Sequence, residues 1–375
     1  MTINSALYYI TIAWLVLIVL DKIARISERT NIKISPFFLR VEFSANFLKK
    51  ISGRSLEFLS GRIAAICSLI VLLTGFGALV YLSGSLARAV SGTHEPPSVI
   101  PVIPGVTVGL SLPILVSIFL VVVVHELGHA VIALKEGIPV RKIAFFLLYV
   151  IPGALVETDD EKTREAGPKK RIVMESAGIL SNFGLGIVII LIAMVVFPGF
   201  PWSPHGVYIS NVLSSGPSAG KLMPGDVIIS INGSRVRSIA DLINAERRLQ
   251  PGSVVLVSTL RGNVTVVLGS SPKNSSLPWF GIYLNPFPYY RSPWLPSSAS
   301  MPLEELIIWI VLFSFGIGIL NALPLIPLDG GLVLKDSLML LISDEKSADR
   351  IAKAISMAAG FVLVSNIVYS IAQLI

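Results

Sequence analysis

His125 and His129 stand four residues apart with Glu126 between them, in the run His125-Glu126-Leu127-Gly128-His129. On a helix that spacing puts both imidazoles on one face, where they can bind one Zn2+ with Glu126 beside the water the ion carries. Such a site lowers the pKa of the water towards roughly 7, and a neighbouring carboxylate can act as general base in an attack on a peptide carbonyl. The negative oxygen formed in that attack is stabilised by the metal. The competing reading is three ionisable side chains buried by chance on an apolar helix. The chain has only 4 His in all, and burying this set in a membrane segment is costly unless it acts.

Catalytic zinc takes three protein ligands and keeps a fourth position open. The single cysteine, Cys67, lies in an apolar run, so internal disulfides and multi-cysteine zinc sites are both excluded. No further His falls in an apolar run, so the third ligand is expected to be a carboxylate. Asp329, in the stretch NALPLIPLDGG, is the choice: it follows the fifth main apolar run at the depth that topology gives the two histidines. Pro324 and Pro327 break the helix before it and free backbone to curve around a site. An aspartate before Gly330 and Gly331 also reads as a turn residue. Glu157 and Glu175 remain open as alternative third ligands.

The elements that must position these residues are membrane helices. Of the 375 residues 53% are hydrophobic and 14% charged, far from the usual quarter charged of a soluble domain. Apolar runs long enough to span the bilayer lie near residues 3–20, 63–82, 111–134, 176–197, 303–323 and 352–375. The first run has no basic residue before it and no small-residue cleavage site after it, so it reads as a retained helix. The segment 21–62 is rich in Lys and Arg, whereas Ser83–Leu110 has Arg88 alone. The first loop is therefore expected in the cytoplasm and residues 198–301 outside. This topology accounts for the net charge of +7 better than nucleic-acid binding does, since the basic residues collect beside spans. Ile143–Val156 is apolar but too short to span and holds Pro152 and Gly153; a seventh helix would break the parity, so a re-entrant or interfacial segment is expected.

Residues 206–270 carry short β runs, GVYISNV, DVIISIN and SVVLVSTL. Asn232-Gly233 suits a tight hairpin, and Ser238 with Asp241 caps a helix from about Ile239 to Leu249. Residues 271–300, rich in Pro, Ser and aromatics, read as a tether. The fold class is thus a polytopic α-helical membrane protein with about six transmembrane helices, a re-entrant segment and an inserted extracytoplasmic α/β domain. Its parts run 1–62, a helix and basic loop; 63–197, the core with HELGH; 198–300, the inserted domain and tether; and 301–375, the core with LDG.

These motifs resemble those of the site-2 proteases, membrane metalloproteases that cut transmembrane substrates. HELGH at 125–129, GILSN at Gly178–Asn182 and LDG at 328–330, approached by the Asn321-led segment, carry the resemblance over about 63–375. It implies that His125, His129 and Asp329 bind one zinc, that Glu126 is catalytic, and that Asn182 assists near the substrate. It also implies a re-entrant β-like element next to the catalytic helix, around Ile143–Val156. Leu328 stands where the family's fuller motif often has Asn or Pro, so only the shorter LDG form is matched. Residues 206–270 look like a PDZ domain, which captures peptide carboxyl termini by strand addition, here expected at Gly206, Val207, Tyr208 and Ile209. The alternative is a steric filter. Expected partners are transmembrane substrates, their carboxyl termini and the bilayer, in a multi-pass cell-membrane protein. Two other classes compete. A metal-ion transporter would show several polar stations and repeated halves, and an inactive PDZ-bearing scaffold is opposed by the intact motif.

Overall fold

The computed structural model describes residues 3–44, 60–91, 108, 109 and 111–374. In chain order come α1 (Ile3–Ala24), α2 (Ile26–Arg29), β1 (Ile32–Ser35), β2 (Phe38–Ser44), α3 (Ser60–Val90), α4 (Leu112–Lys135), β3 (Val140–Leu148), β4 (Ile151–Thr158), α5 (Asp160–Glu165) and α6 (Gly167–Val196). There follow β5 (Gly206–Val212), β6 (Val227–Ile231), β7 (Ser234–Arg235), α7 (Ile239–Glu246), β8 (Val254–Thr259), β9 (Gly262–Val267), β10 (Gly269–Ser270), β11 (Pro278–Trp279) and β12 (Ile282–Tyr289). The chain closes with α8 (Ser297–Ala322), α9 (Asp329–Leu341) and α10 (Glu345–Leu374). Two compact units emerge, residues 1–187 with 309–375, and residues 188–308.

The first unit is mostly helix because hydrocarbon offers the backbone no hydrogen-bond partner, so each apolar segment must satisfy its own amides. That is why the run Val121–Val124, whose β-branched side chains have low helix propensity in water, lies inside α4. Ser111 starts α4 by accepting a hydrogen bond from the Ile114 amide, and Pro113 occupies its first turn. Gly137, with φ 79°, lies just past its end. Among the described residues 5 helices are long and apolar enough to cross a membrane: Arg62–Ala89, Leu112–Lys135, Gly167–Val196, Ser297–Ala322 and Glu345–Gln373. The remaining expected run, near 3–20, forms α1. α3 packs on α9 and α10, and Ala64, Val71, Ile172, Val173, Ile179, Ala322 and Val333 form a core between helices.

Ile143–Val156 is a β-hairpin made of β3 and β4, and it belongs to a larger sheet than the sequence suggested. β1 and β2, drawn from the basic segment read as a loop, extend it to four antiparallel strands in the order β1-β2-β3-β4. Their alternation, Ile32 and Ile34, then Leu39, Val41 and Phe43 around Pro36, is the strand signal within that segment. Residues 45–59 of the same segment, and most of the loop Ser83–Leu110, lie outside the described residues. The base of the sheet is charged: Arg40 reaches Glu157 at 2.6 Å and Lys142 reaches Glu42 at 2.9 Å. Its tip, with Phe37, Leu148 and Tyr149, is apolar.

In the second unit GVYISNV, VIISI and VVLVST form β5, β6 and β8. Asn232 and Gly233, with φ 48° and 79°, make the tight turn between β6 and β7. Ser238 and Asp241 form a reciprocal capping box, and α7 ends at Glu246, three residues short of expectation. The segment read as a tether is largely structured: β12 lies within it and pairs with β5, giving the strand order β12-β5-β6-β8-β9. Pro286 and Pro288 are tolerated there because β12 is an edge strand. Val207, Ile209, Leu222, Ile228, Val255, Val257 and Phe280 fill the core.

Asp226 sits beside that core, bound by Arg261 at 2.8 and 2.9 Å and by the Met223 amide at 2.9 Å. Burial raises its pKa, but Arg261 and the Met223 amide outweigh burial and hold it below the usual carboxylate range. Its contribution to stability is therefore complete above about pH 4 and is lost as pH falls through the folded pKa. Asp226→Asn is expected to destabilise this unit by roughly 2 kcal/mol at neutral pH and to flatten its acid unfolding limb. Limited proteolysis of the full chain between pH 3 and pH 7 reads both effects.

Candidate metal centre

α4 places His125 and His129 one turn apart, with ring centroids 4.8 Å apart. Asp329 approaches them from the first residue of α9, where a carboxylate is favoured by the free amides of the helix start. The preceding segment is fixed by a hydrogen bond of 2.8 Å from the Ile326 amide to Ser356 on α10. A Cβ at Gly330 would collide with the backbone of Ala322 and Leu323, so only glycine lets α9 start so close to the end of α8.

The three facing atoms form a nearly equilateral triangle. His125 Nε2 lies 3.1 Å and His129 Nε2 3.3 Å from Asp329 Oδ2, and the two Nε2 atoms are 3.2 Å apart. Ligands placed about 2.0 Å from a tetrahedral zinc are separated by roughly 3.3 Å, so the triangle has the size of one face of such a site. Hydrogen bonds alone account for it poorly, because protonating both Nε2 atoms towards Asp329 sets two N–H groups against each other. Gly178 of α6 backs the triangle, and a Cβ there would strike both Nε2 atoms.

The far sides of both rings are held by α6. His129 Nδ1 donates to the Met174 carbonyl at 2.7 Å. Asn182 Nδ2 lies 3.2 Å from His125 Nδ1, and Asn182 Oδ1, buried beside it, has no hydrogen-bond partner. A half-turn of the amide exchanges its two ends, and in that orientation Oδ1 would accept the Nδ1 proton and leave the Nε2 lone pair free for a metal. Both histidines thus have the outer support typical of metal ligands. Glu126 accepts a hydrogen bond of 3.0 Å at Oε2 from the Val156 amide of β4.

The group able to hold a metal among the described residues is His125, His129 and Asp329. Glu157 is engaged by Arg40 at the base of the sheet, and Glu175 is buried on α6 outside that group. Asn321 donates within α8 to Ile317. Gly206–Ile209 cannot accept an added strand: they lie in β5, which pairs with β12 on one side and β6 on the other. The open edge nearest α7 belongs to β12. Val156 and Met174 contribute through backbone atoms, which no residue pattern announces, and Gly178 lay unread within GILSN.

A membrane-helix chain whose HExxH helix meets a distant aspartate has the architecture of a membrane metallopeptidase. Residues 113–366 match the family model described as Peptidase family M50, and the chain belongs to that family. It is 28% identical over 273 residues to the uncharacterised protein MJ0971 of Methanocaldococcus jannaschii, covering 70% of this chain and 67% of that protein. It is 35% identical over 127 residues to a membrane-bound transcription factor site-2 protease homolog of Arabidopsis thaliana, covering 33% of this chain and 25% of the relative. A probable chloroplastic membrane metalloprotease, ARASP2, of the same plant is 26% identical over 191 residues, covering 41% of this chain and 43% of the relative. Among solved structures, the PDZ domain of an SdrC-like protein from Listeria monocytogenes is 27% identical, covering 21% of this chain and 87% of that one with a TM-score of 0.20.

Proposed function

We propose that this chain is an intramembrane zinc endopeptidase that hydrolyses a peptide bond in transmembrane segments of other proteins, near the cytoplasmic face. The triangle of two Nε2 atoms and one carboxylate oxygen carries the reading. His125, His129 and Asp329 would hold the ion. When bound, zinc supplies Lewis acidity that acidifies water and polarises a peptide carbonyl. Glu126 takes the proton of the attacking water and returns it to the leaving amine. Asn182 and the Met174 carbonyl keep the two imidazoles oriented. Among the described residues the compact His125, His129 and Asp329 group favours hydrolysis over a transport path with several stations.

A helical substrate hides its peptide bonds in its own hydrogen bonds, so it must unwind first. Among the described residues β4 is the edge of its sheet, and it runs along α4. The backbone of Ala154 shares the outward parity of Val156 and can receive an extended strand. The segment 198–300 is read as an extracytoplasmic PDZ-like module and its link to the membrane, supported by the basic first loop and by the strand order. Peptide capture is reassigned to the edge of β12 beside α7. α1 is counted as a sixth span.

This module would admit a substrate only after a first cut has removed its outer domain. In proteoliposomes a trimmed substrate is then expected to be cleaved at least roughly tenfold faster than the same substrate with a bulky folded outer domain. Equal rates would remove the filter from the proposal.

A further inference from the structure

The strand that holds Glu126 is itself held by a helix outside the family-matched region 113–366. Near the base of β4, Val156 donates to Glu126 at 3.0 Å. At the tip the β3–β4 hairpin turns through Tyr149, whose φ of 55° is a left-handed conformation that a bulky residue keeps only where its surroundings enforce it. Those surroundings come from α1 and the β1–β2 turn. Trp14 Nε1 donates to the Tyr149 carbonyl at 3.0 Å, and the Tyr149 amide donates to the Phe37 carbonyl at 2.7 Å. The Thr11 and Tyr149 hydroxyls are 3.2 Å apart. Phe37, also left-handed at φ 60°, packs edge-on against both the Trp14 and Tyr149 rings. Trp14 is 3% exposed while its neighbour Leu15 is 56% exposed, so one face of α1 is committed to the sheet tip.

The geometry points to Trp14 as a positioning residue: through its clasp on Tyr149, α1 fixes the hairpin tip and thereby places the β4 backbone that holds Glu126. This inference rests on the protease reading. An edge strand has ladder bonds on one side only, so its free side takes its position from whatever grips it. Here the turn that leads into β4 is gripped at the tip by Trp14, and β4 itself is held at the base by the Arg40–Glu157 pair while its flank packs on α4. Releasing the tip lets the strand shift, and a displacement of about 1 Å at a reacting centre can lower a rate by roughly a hundredfold.

The test compares Trp14→Ala, Trp14→Phe and Leu15→Ala in the full-length chain purified in detergent. Bound zinc, kcat and KM on a transmembrane reporter, and amide exchange over residues 151–158 are measured on each. Trp14→Ala is expected to keep its zinc, to lower kcat roughly tenfold with KM changed by less than about threefold, and to speed exchange in 151–158 but not in 125–129. Trp14→Phe keeps a ring and loses the N–H, so it falls between; Leu15→Ala behaves as wild type. Wild-type kcat in Trp14→Ala, or a loss of activity that follows a loss of zinc, would overturn the positioning role. If the wild type cuts no reporter while Trp14→Ala still loosens 151–158, the protease reading fails and the clasp stands. Unchanged exchange overturns the clasp itself.

Discussion

Glu126→Gln is expected to lower kcat on a transmembrane substrate by roughly a thousandfold or more while zinc binding is retained. The substitution keeps the size of the side chain and an oxygen able to accept from the Val156 amide, so the strand contact at 3.0 Å survives. What it removes is the basic carboxylate, and a glutamine cannot take a proton from water near neutral pH. Glu126 is not among the three residues that meet in the metal triangle, so ion content is expected to match wild type. The contrast between lost turnover and kept zinc separates a base from a ligand. Comparable turnover in the two proteins would remove Glu126 from the chemistry.

Asp329→Ala is expected to give the opposite pattern, with zinc and activity lost together. Two imidazoles would remain, and removing one of three protein ligands is expected to weaken binding by roughly a thousandfold or more, beyond the 10–100-fold typical of losing an outer supporting residue. The residue also sits at the start of α9, packed through Gly330 against the end of α8. A small side chain is therefore compatible with that approach, and the fold is expected to persist. Equilibrium dialysis against zinc, followed by metal analysis, checks the affinity. Wild-type zinc content in Asp329→Ala would return the third-ligand position to another carboxylate, with Glu175 the first to examine.

The sequence announced the histidine pair because an i, i+4 relation is local and survives any tertiary arrangement. Asp329, some two hundred residues from α4, has no local relation to the pair; it was legible through the lack of a third His or Cys, its depth in the membrane and the LDG resemblance. The four-stranded sheet was half hidden. β3 and β4 are apolar on both faces and so lack the alternation that marks a half-buried strand, while β1 and β2 sit in a segment whose Lys and Arg advertise a cytoplasmic loop. β12 was obscured by Pro286 and Pro288, which argue against a strand unless the strand is an edge. Peptide capture expected at Gly206–Ile209 depends on the same strand, since β5 is interior once β12 takes the edge. The backbone partners of Glu126 and His129, Val156 and Met174, could not be read at all, because main-chain groups carry no residue signature.

The most direct test places the purified chain in proteoliposomes with a single-span reporter and identifies the product termini by mass spectrometry, before chelation, after it, and after zinc is restored. The account predicts a cut inside the transmembrane segment towards its cytoplasmic end, lost on chelation and recovered with zinc. Cleavage indifferent to chelation, or a zinc-loaded protein that leaves every transmembrane reporter intact, would contradict it.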